Sequence, residues 1–360
     1  QHPASSAIVS VFTPSEILQE AGLNPYNVEG FSCYLSGSRA ERLFLQQAEN
    51  AGISETLCSY HKTFLGAADK DVLPRPNCIV YTNLTCDANL LTFRRLAELY
   101  GVPSFSIDVP MQQSAANIAY VAGQLRELAD FLQTNTGKTI DTEALRVRLR
   151  PSRRTLEKFR ECQRARADKY VPSDLVTPLY SGMVNNILLG SQQVENYVDR
   201  LRADIEKAPP ARGKRIYWMH TIPFWSAAAR QALAFSEKAQ IVGCELSQVC
   251  EPDFDPEEPF EAMAYRMVNH VLNGSGLRRI EAGIRHAKEA GADGVVWFNH
   301  WGCKHTLGAA QLAKKKFEEH GLPLLILDGD GCDRSHGGEG QTSTRLEAFL
   351  EMLEEGDGTL

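Results

Sequence analysis

Cys86 and Cys303 occupy equivalent positions in two similar stretches of the chain, residues 77–108 and 294–328. Each stretch reads as an apolar strand, a short loop, a cysteine, an amphipathic helix, a Gly-x-Pro stop and a second strand, which predicts a βαβ unit. In such units ligands bind at the loop that follows the carboxyl end of the strand. Both cysteines lie on this loop at the start of a helix, where the helix dipole favours a thiolate. The pattern therefore predicts two thiolate metal ligands.

Cys58 is a third candidate ligand because it precedes another predicted helix, which begins Ser59-Tyr-His-Lys. None of the nine cysteines forms a CxxC pair, so a metal site would have to gather thiolates from distant loops. Three thiolates would leave one iron of a [4Fe-4S] cubane without a protein ligand and open to substrate. The alternative interpretation is three partly buried thiols with a structural role, since cysteine often behaves as a small core residue.

The remaining cysteines divide into loop and core positions. Four lie at predicted loop positions, after strands or within a turn-rich segment: Cys33, Cys244, Cys250 and Cys332. Cys78 begins a strand and Cys162 lies within a helix, so both are interpreted as structural. If one of Cys244 and Cys250 is a ligand, the loop thiolates are numerous enough to hold two cubanes.

The elements that would position these residues predict an α/β fold. We expect two doubly wound, parallel-sheet domains of the Rossmann or flavodoxin-like type, at residues 1–113 and 212–360. Between them, residues 114–211 show long amphipathic helices and almost no strand signal, which predicts a helical domain. In the first domain, Thr13-Pro-Ser-Glu16 has the spacing of a capping box, with Thr13 as N-cap and Pro14 at the first helical position.

Composition excludes several classes of protein. The chain has 360 residues, with 43% hydrophobic and 23% charged residues, which is ordinary for a globular protein. A net charge of −7 without a dense basic cluster argues against a nucleic-acid partner, and no apolar run is long enough to span a membrane. No secretory signal is recognised in the first residues, so the predicted location is the cytoplasm.

Taken in order, five segments resemble the 2-hydroxyacyl-CoA dehydratase and benzoyl-CoA reductase family. They are residues 13–25, residues 58–62, Thr85-Cys86-Asp87, Phe298-Asn-His-Trp-Gly-Cys303, and residues 328–349 with Asp328-Gly-Asp330 at their start. The resemblance covers nearly the whole chain. It implies two α/β domains with added helices, and a [4Fe-4S] cluster held by the three matching cysteines, Cys58, Cys86 and Cys303.

The resemblance also implies a reaction and its partners. Family members are implied to add one low-potential electron to a 2-hydroxyacyl-CoA thioester, so that the α-hydroxyl leaves and the β-proton becomes acidic. The electron is implied to come from a separate, ATP-dependent iron–sulfur activator, and this chain has no G-x-x-x-x-G-K-[ST] loop of its own. A second family subunit, or a second copy of the chain, completes a dimer. Glu16 matches an acid of the family, and His61, His300 and His305 lie beside the cysteines as candidate proton carriers.

Three alternatives stay open. Cys33, Cys244 and Cys332 at loop positions favour a branch of the family that resembles double-cubane [8Fe-9S] proteins, which are activator-dependent reductases of small molecules. A second alternative is a cluster-bearing subunit without catalytic activity in a heteromeric complex. A third is a Rossmann-like binding protein without a cluster.

Overall fold

The computed structural model describes residues 5–248 and 252–356, apart from the side chains of residues 183–185. Within these residues, eight strands form two four-stranded sheets. The first sheet contains β1 (Ser6–Val9), β2 (Asn24–Asn27), β3 (Cys78–Thr82) and β4 (Ser104–Ile107). The second contains β5 (Lys214–Met219), β6 (Ala239–Cys244), β7 (Gly294–His300) and β8 (Leu324–Gly329).

The two sheets have the same topology. Their strand orders are β2-β1-β3-β4 and β6-β5-β7-β8, and every pairing is parallel. In both sheets the two strands of the predicted βαβ unit are adjacent, with Val80 beside Phe105 in one and Val296 beside Leu325 in the other. The prediction of an α/β fold with two doubly wound sheets is confirmed.

Fifteen α-helices in the described residues cover and connect these sheets. They are α1 (Ser15–Glu20), α2 (Val28–Gly37), α3 (Glu41–Asn50), α4 (Ser59–Asp69), α5 (Ala88–Tyr100), α6 (Ala115–Thr136), α7 (Thr142–Ala165), α8 (Val176–Ile187), α9 (Gln192–Lys207), α10 (Ala227–Leu233), α11 (Pro259–Val268), α12 (Gly276–Glu289), α13 (Lys304–Leu307), α14 (Ala310–Glu319) and α15 (Glu339–Gly356). The chain turns after α5 and α14 through Gly101 and Gly321, whose φ angles of 57° and 71° favour glycine.

Alternation along the strands buries both faces of each sheet. In β1, Ala7 and Val9 pack into one hydrophobic cluster while Ile8 packs into another on the opposite face. In β7, Val296 and Val295 divide between two clusters in the same way. This is the period-two pattern expected of strands buried between helix layers.

Helices α6, α7 and α9 share a hydrophobic core with the first sheet, whereas Leu179 of α8 is buried in a cluster of the second sheet. Side chains from α6, α7 and α9, among them Leu125, Leu149 and Val198, are buried in one cluster with Ala7 and Val80. Met263 of α11, which belongs to the C-terminal half of the sequence, is part of the same cluster. These helices therefore pack against the sheet and share its core. The boundaries of three domains remain a prediction.

Several local predictions were wrong. Cys33 lies within helix α2, which begins with Asn27 as N-cap, since the Asn27 side chain accepts a hydrogen bond from the Gly30 N–H. Cys244 is the last residue of strand β6, which continues past the apolar run at 239–242.

Strand β2 and helix α8 were not expected from the sequence. Helix α1 begins at Ser15 without a side-chain cap, and the Thr13 hydroxyl instead donates to the Val80 carbonyl.

No helix in the described residues is long and apolar enough to cross a membrane. This agrees with the absence of a long apolar run in the sequence.

Helices α3 and α4 pack closely enough to require a glycine between them. A Cβ atom built on Gly66 would lie 1.9 Å from the carbonyl oxygen of Phe44. We expect Gly66→Ala to lower the free energy of unfolding by about 1–3 kcal/mol, because backbone must move to relieve the overlap. Chemical denaturation measures this change.

Gly123 provides the matched control within α6. A Cβ atom there meets no atom within 4 Å, so Gly123→Ala should stabilise by about 0.5–1 kcal/mol through helix propensity. Equal effects of the two substitutions would contradict the close approach of α3 and α4.

Candidate metal centre

Three cysteines, each at the start of a helix, come together between the two sheets. Cys58 is the N-cap residue of α4, Cys303 is the N-cap residue of α13, and Cys86 lies two residues before α5. All three are partly exposed. Burial, and then the nearby charges of Cys86 and Cys303, raise the pKa of the Cys58 thiol well above its usual value. The three sulfur atoms are thus close enough for their charges to interact.

A glycine allows the loops carrying Cys58 and Cys303 to touch. A Cβ atom on Gly302 would lie 2.5 Å from the Cα atom of Cys58 and 3.1 Å from its backbone nitrogen. Neither atom can move without shifting α4, so only glycine fits at position 302. This contact joins a loop of the N-terminal half to a loop of the C-terminal half.

His300 contacts the Cys58 sulfur from the end of β7. Its Nδ1 accepts a hydrogen bond from the Gly331 N–H at 3.1 Å, and its Nε2 lies 3.3 Å from Cys58 Sγ. Because Nδ1 accepts, the proton of the neutral ring is on Nε2 and points to the sulfur. Burial lowers the pKa of His300, while Asp330 opposes this effect. The geometry therefore supplies a neutral donor to a Cys58 thiolate.

His61 has a similar position beside Cys86. Its Nε2 lies 3.9 Å from Cys86 Sγ, and its Nδ1 lies 2.9 Å from the hydroxyl of Thr92, which in turn donates to the Ala88 carbonyl. Burial lowers the pKa of His61 to about 4, so the ring is neutral near pH 7. Burial raises the pKa of the Cys86 thiol to about 11, against the backbone N–H groups at the start of α5, which lower it.

His305 is held by a buried ion pair that the sequence did not reveal. Arg279 of α12 donates from Nε and Nη2 to the two carboxylate oxygens of Glu245, at 2.6 and 2.5 Å. Its Nη1 lies 3.2 Å from His305 Nδ1. Since a guanidinium only donates, Nδ1 accepts and the ring proton of His305 is on Nε2. Burial, and then Arg279, lower the pKa of His305 to about 4.

His220 is a further buried group at this edge that sequence reasoning missed. It follows β5 with a φ of 76°, a strained value for a residue with a side chain, and its N–H donates to the Glu245 carboxylate. Its ring lies 6.0 Å from that of His300, and its Nε2 is buried without a hydrogen-bond partner among the described residues. The positive φ of His220 has no signal in the sequence.

The other candidate thiols are buried in the core. Cys33 and Cys332 pack in the same cluster, where Cys332 Sγ lies 3.4 Å from the Thr63 hydroxyl and 3.7 Å from the Ser32 carbonyl oxygen. Cys244 Sγ lies 3.5 Å from the carbonyl oxygen of His220. Burial raises the pKa of Cys33 and Cys244 to about 12. Cys250 lies outside the described residues.

The donor set fits an iron–sulfur cluster better than a single ion. In residues 5–248 and 252–356, no three or more His, Cys, Asp or Glu side chains converge tightly enough for one metal ion. A cubane binds each thiolate through a different iron, so its ligands need not converge on one point. Neighbouring thiols, such as Cys58 and Cys86 with their raised pKa values, also require positive charge before all three can ionise, and bound iron supplies it.

Glu16 lies at a cavity that is partly open to solvent. Its buried carboxylate pairs with Arg266 of α11 at 2.7 and 2.8 Å. The predicted capping box is therefore wrong, because Glu16 turns away from the start of α1 to meet a cation from the C-terminal half. Most of the remaining lining is apolar, including Leu84 and Met263, with Thr13, Asn186 and His270 as further polar residues.

His270 is a buried neutral ring at this cavity, and its Nε2 has no hydrogen-bond partner among the described residues. Its Nδ1 accepts from the Leu272 N–H at 3.2 Å, and its ring packs 4.3 Å from that of Phe12. Burial lowers its pKa from 6.5 to about 3.

The fold and the site together define an α/β protein with two flavodoxin-like halves and three helix-start cysteines at their junction. Comparison with known families agrees. The model of the family described as 2-hydroxyglutaryl-CoA dehydratase, D-component, matches residues 10–353. The chain belongs to this family.

Curated relatives of similar length carry related names. The alpha subunit of (R)-phenyllactyl-CoA dehydratase of Clostridium sporogenes is 21% identical over 94% of this chain and 87% of its own length. The alpha subunit of lactoyl-CoA dehydratase of Anaerotignum propionicum is 21% identical over 95% and 89%. A benzoyl-CoA reductase component of Thauera aromatica is 21% identical over 86% and 80%. The relatives thus include dehydratases and a reductase.

The pKa of His270 predicts a loss of stability in acid. Its value in the folded protein is about 3, below 6.5 in the unfolded chain, so its contribution is complete above pH 6.5 and is lost as pH falls towards 3. Between about pH 7.5 and about pH 5.5 this one residue should cost about 1.4 kcal/mol of unfolding free energy. In His270→Asn, whose amide oxygen can replace Nδ1 as acceptor, the pH-dependent loss should be smaller by that amount. Denaturant titrations of both proteins at the two pH values give the difference, and parallel pH profiles would contradict a neutral, buried His270.

Proposed function

We propose that this chain is a catalytic subunit of the 2-hydroxyacyl-CoA dehydratase type, with a [4Fe-4S] cluster on Cys58, Cys86 and Cys303. The observation that carries the proposal is the meeting of these three partly exposed thiols from three separate loops. Family membership and the names of the dehydratase relatives support the reaction class. The substrate is a 2-hydroxyacyl-CoA, from which water is removed.

When bound, the cluster supplies an iron without a protein ligand for an oxygen of the substrate, and a route for one electron. The residues of the chain hold and surround it. His300 donates from Nε2 towards the Cys58 sulfur, and His61 lies beside the Cys86 sulfur. Both rings are neutral near pH 7. The His300 ring therefore stabilises a Cys58 thiolate without adding charge, whereas the proton of the His61 ring is on Nδ1, which donates to the Thr92 hydroxyl. His305, with its proton on Nε2, is the candidate donor to a leaving hydroxyl.

Glu16 is the proposed proton-transferring acid, at the cavity that it lines with Arg266 and His270. Its carboxylate is fixed by Arg266 beside apolar walls, which suit an acyl chain, while the histidines lie beside the thiols.

The same proposal includes two protein partners. The relatives named as alpha subunits support a second family subunit or a second copy of this chain, and an ATP-dependent iron–sulfur activator is proposed as electron donor. The chain is proposed to work in the cytoplasm.

A second candidate is a double-cubane [8Fe-9S] reductase. It is favoured by one observation: Cys332 and Cys33 are close enough for their charges to interact, and Cys58 also contributes to the raised pKa of Cys332. A second group of thiols therefore lies next to the first. Against this candidate, Cys33 and Cys332 are buried within the core.

Iron counting separates the two candidates. Protein purified and reconstituted without oxygen should contain about four irons and about four acid-labile sulfides per chain for one cubane, and about eight irons for two. We expect Cys58→Ser, Cys86→Ser and Cys303→Ser each to lose most of the iron. Cys332→Ser should keep it, as should Cys162→Ser, which changes a buried thiol of α7 away from the site. If Cys332→Ser loses iron and the unchanged protein contains about eight irons per chain, the double-cubane reductase becomes the favoured candidate.

Turnover tests the reaction class and Glu16 together. With an activator of the family, ATP and a panel of 2-hydroxyacyl-CoA thioesters, the iron-loaded protein should release the unsaturated acyl-CoA, as mass spectrometry would detect. Glu16→Gln should reduce the rate by about 10²–10⁴-fold, the usual contribution of a general acid or base. Its control is Glu20→Gln on the same helix, whose carboxylate pairs with Arg148 outside the cavity.

The outcomes of this assay separate the remaining alternatives. Product formed only after a second family subunit is added would indicate a subunit of a heteromeric enzyme. An iron-loaded chain that binds the activator and gives no product with any subunit would indicate a relay subunit without catalysis, and would contradict the proposal. Equal rates in Glu16→Gln and Glu20→Gln would remove Glu16 from the reaction.

A further inference from the structure

A buried ion pair of Arg279 with Glu245 lies close to the Cys303 loop, since Arg279 Nη1 is 3.2 Å from Nδ1 of His305, two residues after Cys303. Arg279 and Glu245 have side-chain exposures of 2% and 4%. Removing two charges from water is costly, and such a pair seldom stabilises a fold more than apolar residues of the same volume would. Its position next to a proposed redox group therefore requires an explanation beyond stability.

The two charges are oriented with respect to the thiols. The Nε and Nη2 edge of the Arg279 guanidinium faces Glu245, and its Nη1 faces His305, two residues after Cys303. Burial lowers the pKa of Arg279, but Glu245 and, to a smaller degree, the charge of Cys303 raise it, so the cation is within electrostatic range of that sulfur. Glu245 follows Cys244 at the end of β6 and is held by the His220 N–H. The positive end of the pair thus faces the thiols.

Further contacts prevent the pair from rotating. The guanidinium carbon lies 5.0 Å from the ring centre of Trp297 in β7, and both carboxylate oxygens of Glu245 are engaged by Arg279. A cation fixed in this way does not reorganise when the charge beside it changes, so its full effect acts on that charge.

We propose that Arg279 and Glu245 form an oriented ion pair that sets the reduction potential of the cluster. This inference rests on the proposed function, because it requires a cluster on Cys58, Cys86 and Cys303. Reduction adds one electron, and hence one negative charge, to the cluster. The cation of Arg279 stabilises that added charge and raises the potential, while the more distant carboxylate of Glu245 partly offsets it. In this proposal Arg279 acts on the charge of the cluster and does not transfer a proton or an electron.

The test changes each end of the pair separately. Iron-loaded protein, Arg279→Gln, Glu245→Gln and Arg279→Lys are compared by electrochemical reduction followed through visible absorbance and EPR. Arg279→Gln should make the potential more negative and Glu245→Gln should make it less negative, since opposite charges are removed. We expect each shift to be at least tenfold in the reduction equilibrium, which is about 59 mV for a one-electron couple. Arg279→Lys keeps the charge and should restore most of the potential.

Shifts of the reduction potential with opposite signs in Arg279→Gln and Glu245→Gln distinguish charge compensation from a structural role. If the two glutamine variants retain iron and shift the potential in the same direction, or leave it unchanged, the inference is overturned while the proposed cluster stands. If Arg279→Gln fails to fold, the sign of the shift in Glu245→Gln decides alone. A wild-type chain that binds no iron after anaerobic reconstitution overturns the proposed function itself, and is recognised by its iron content before any potential is measured.

Discussion

The contact between Gly302 and Cys58 is the constraint on which the site depends. The two residues belong to different halves of the chain, and a Cβ atom at position 302 would lie 2.5 Å from the Cys58 Cα. A hydrogen bond from the Ser59 hydroxyl to Asp330 Oδ1, at 2.5 Å, joins the same helix start to the loop after β8. Asp330 also accepts the N–H of Cys332, so that loop is itself fixed. The thiols become neighbours only when the halves pack, which makes the site a product of tertiary structure.

Burial determines the protonation of the histidines at the junction of the two halves. Burial lowers the pKa values of His61, His220, His300 and His305, so these rings remain neutral near pH 7. His300 is placed to donate a hydrogen bond to a Cys58 thiolate, but none of these rings adds a charge that would balance the thiolates. The guanidinium of Arg279 keeps its charge at any pH the protein experiences, and its carboxylate partner stabilises it in the interior. The neutral donor beside the Cys58 sulfur and the fixed cation of Arg279 thus have separate physical roles.

Local signals in the sequence were sufficient for all the strands of the two sheets except β2, and for the helices that begin at the three cysteines. Apolar runs of strand length and Gly-x-Pro stops are local, and Gly101 and Gly321 adopt the positive φ that such stops require. The ion pair of Glu16 with Arg266 was invisible because its partners are 250 residues apart. Thr13 and Glu16 have the spacing of a capping box. The buried carboxylate of Glu16 nevertheless forms stronger hydrogen bonds with the charged guanidinium of Arg266 than it would form with a backbone N–H. The network of Arg279, Glu245 and His220 was missed for the same reason: no spacing connects α12, the end of β6 and the end of β5.

The cysteines show most clearly that position in the sequence does not predict whether a thiol is exposed or buried. Cys303 and Cys332 both follow strands of the same sheet, and in the sequence they are equivalent loop cysteines. In the structure Cys303 is partly exposed at a helix start, whereas Cys332 is buried beside the Thr63 hydroxyl and the Ser32 carbonyl. A thiol that already has polar partners in a packed core must lose them, and neighbouring side chains must move, before it can bind iron. Cys58, Cys86 and Cys303 are partly exposed at helix starts, so they need no such rearrangement of the core, and this difference favours a single cubane over two.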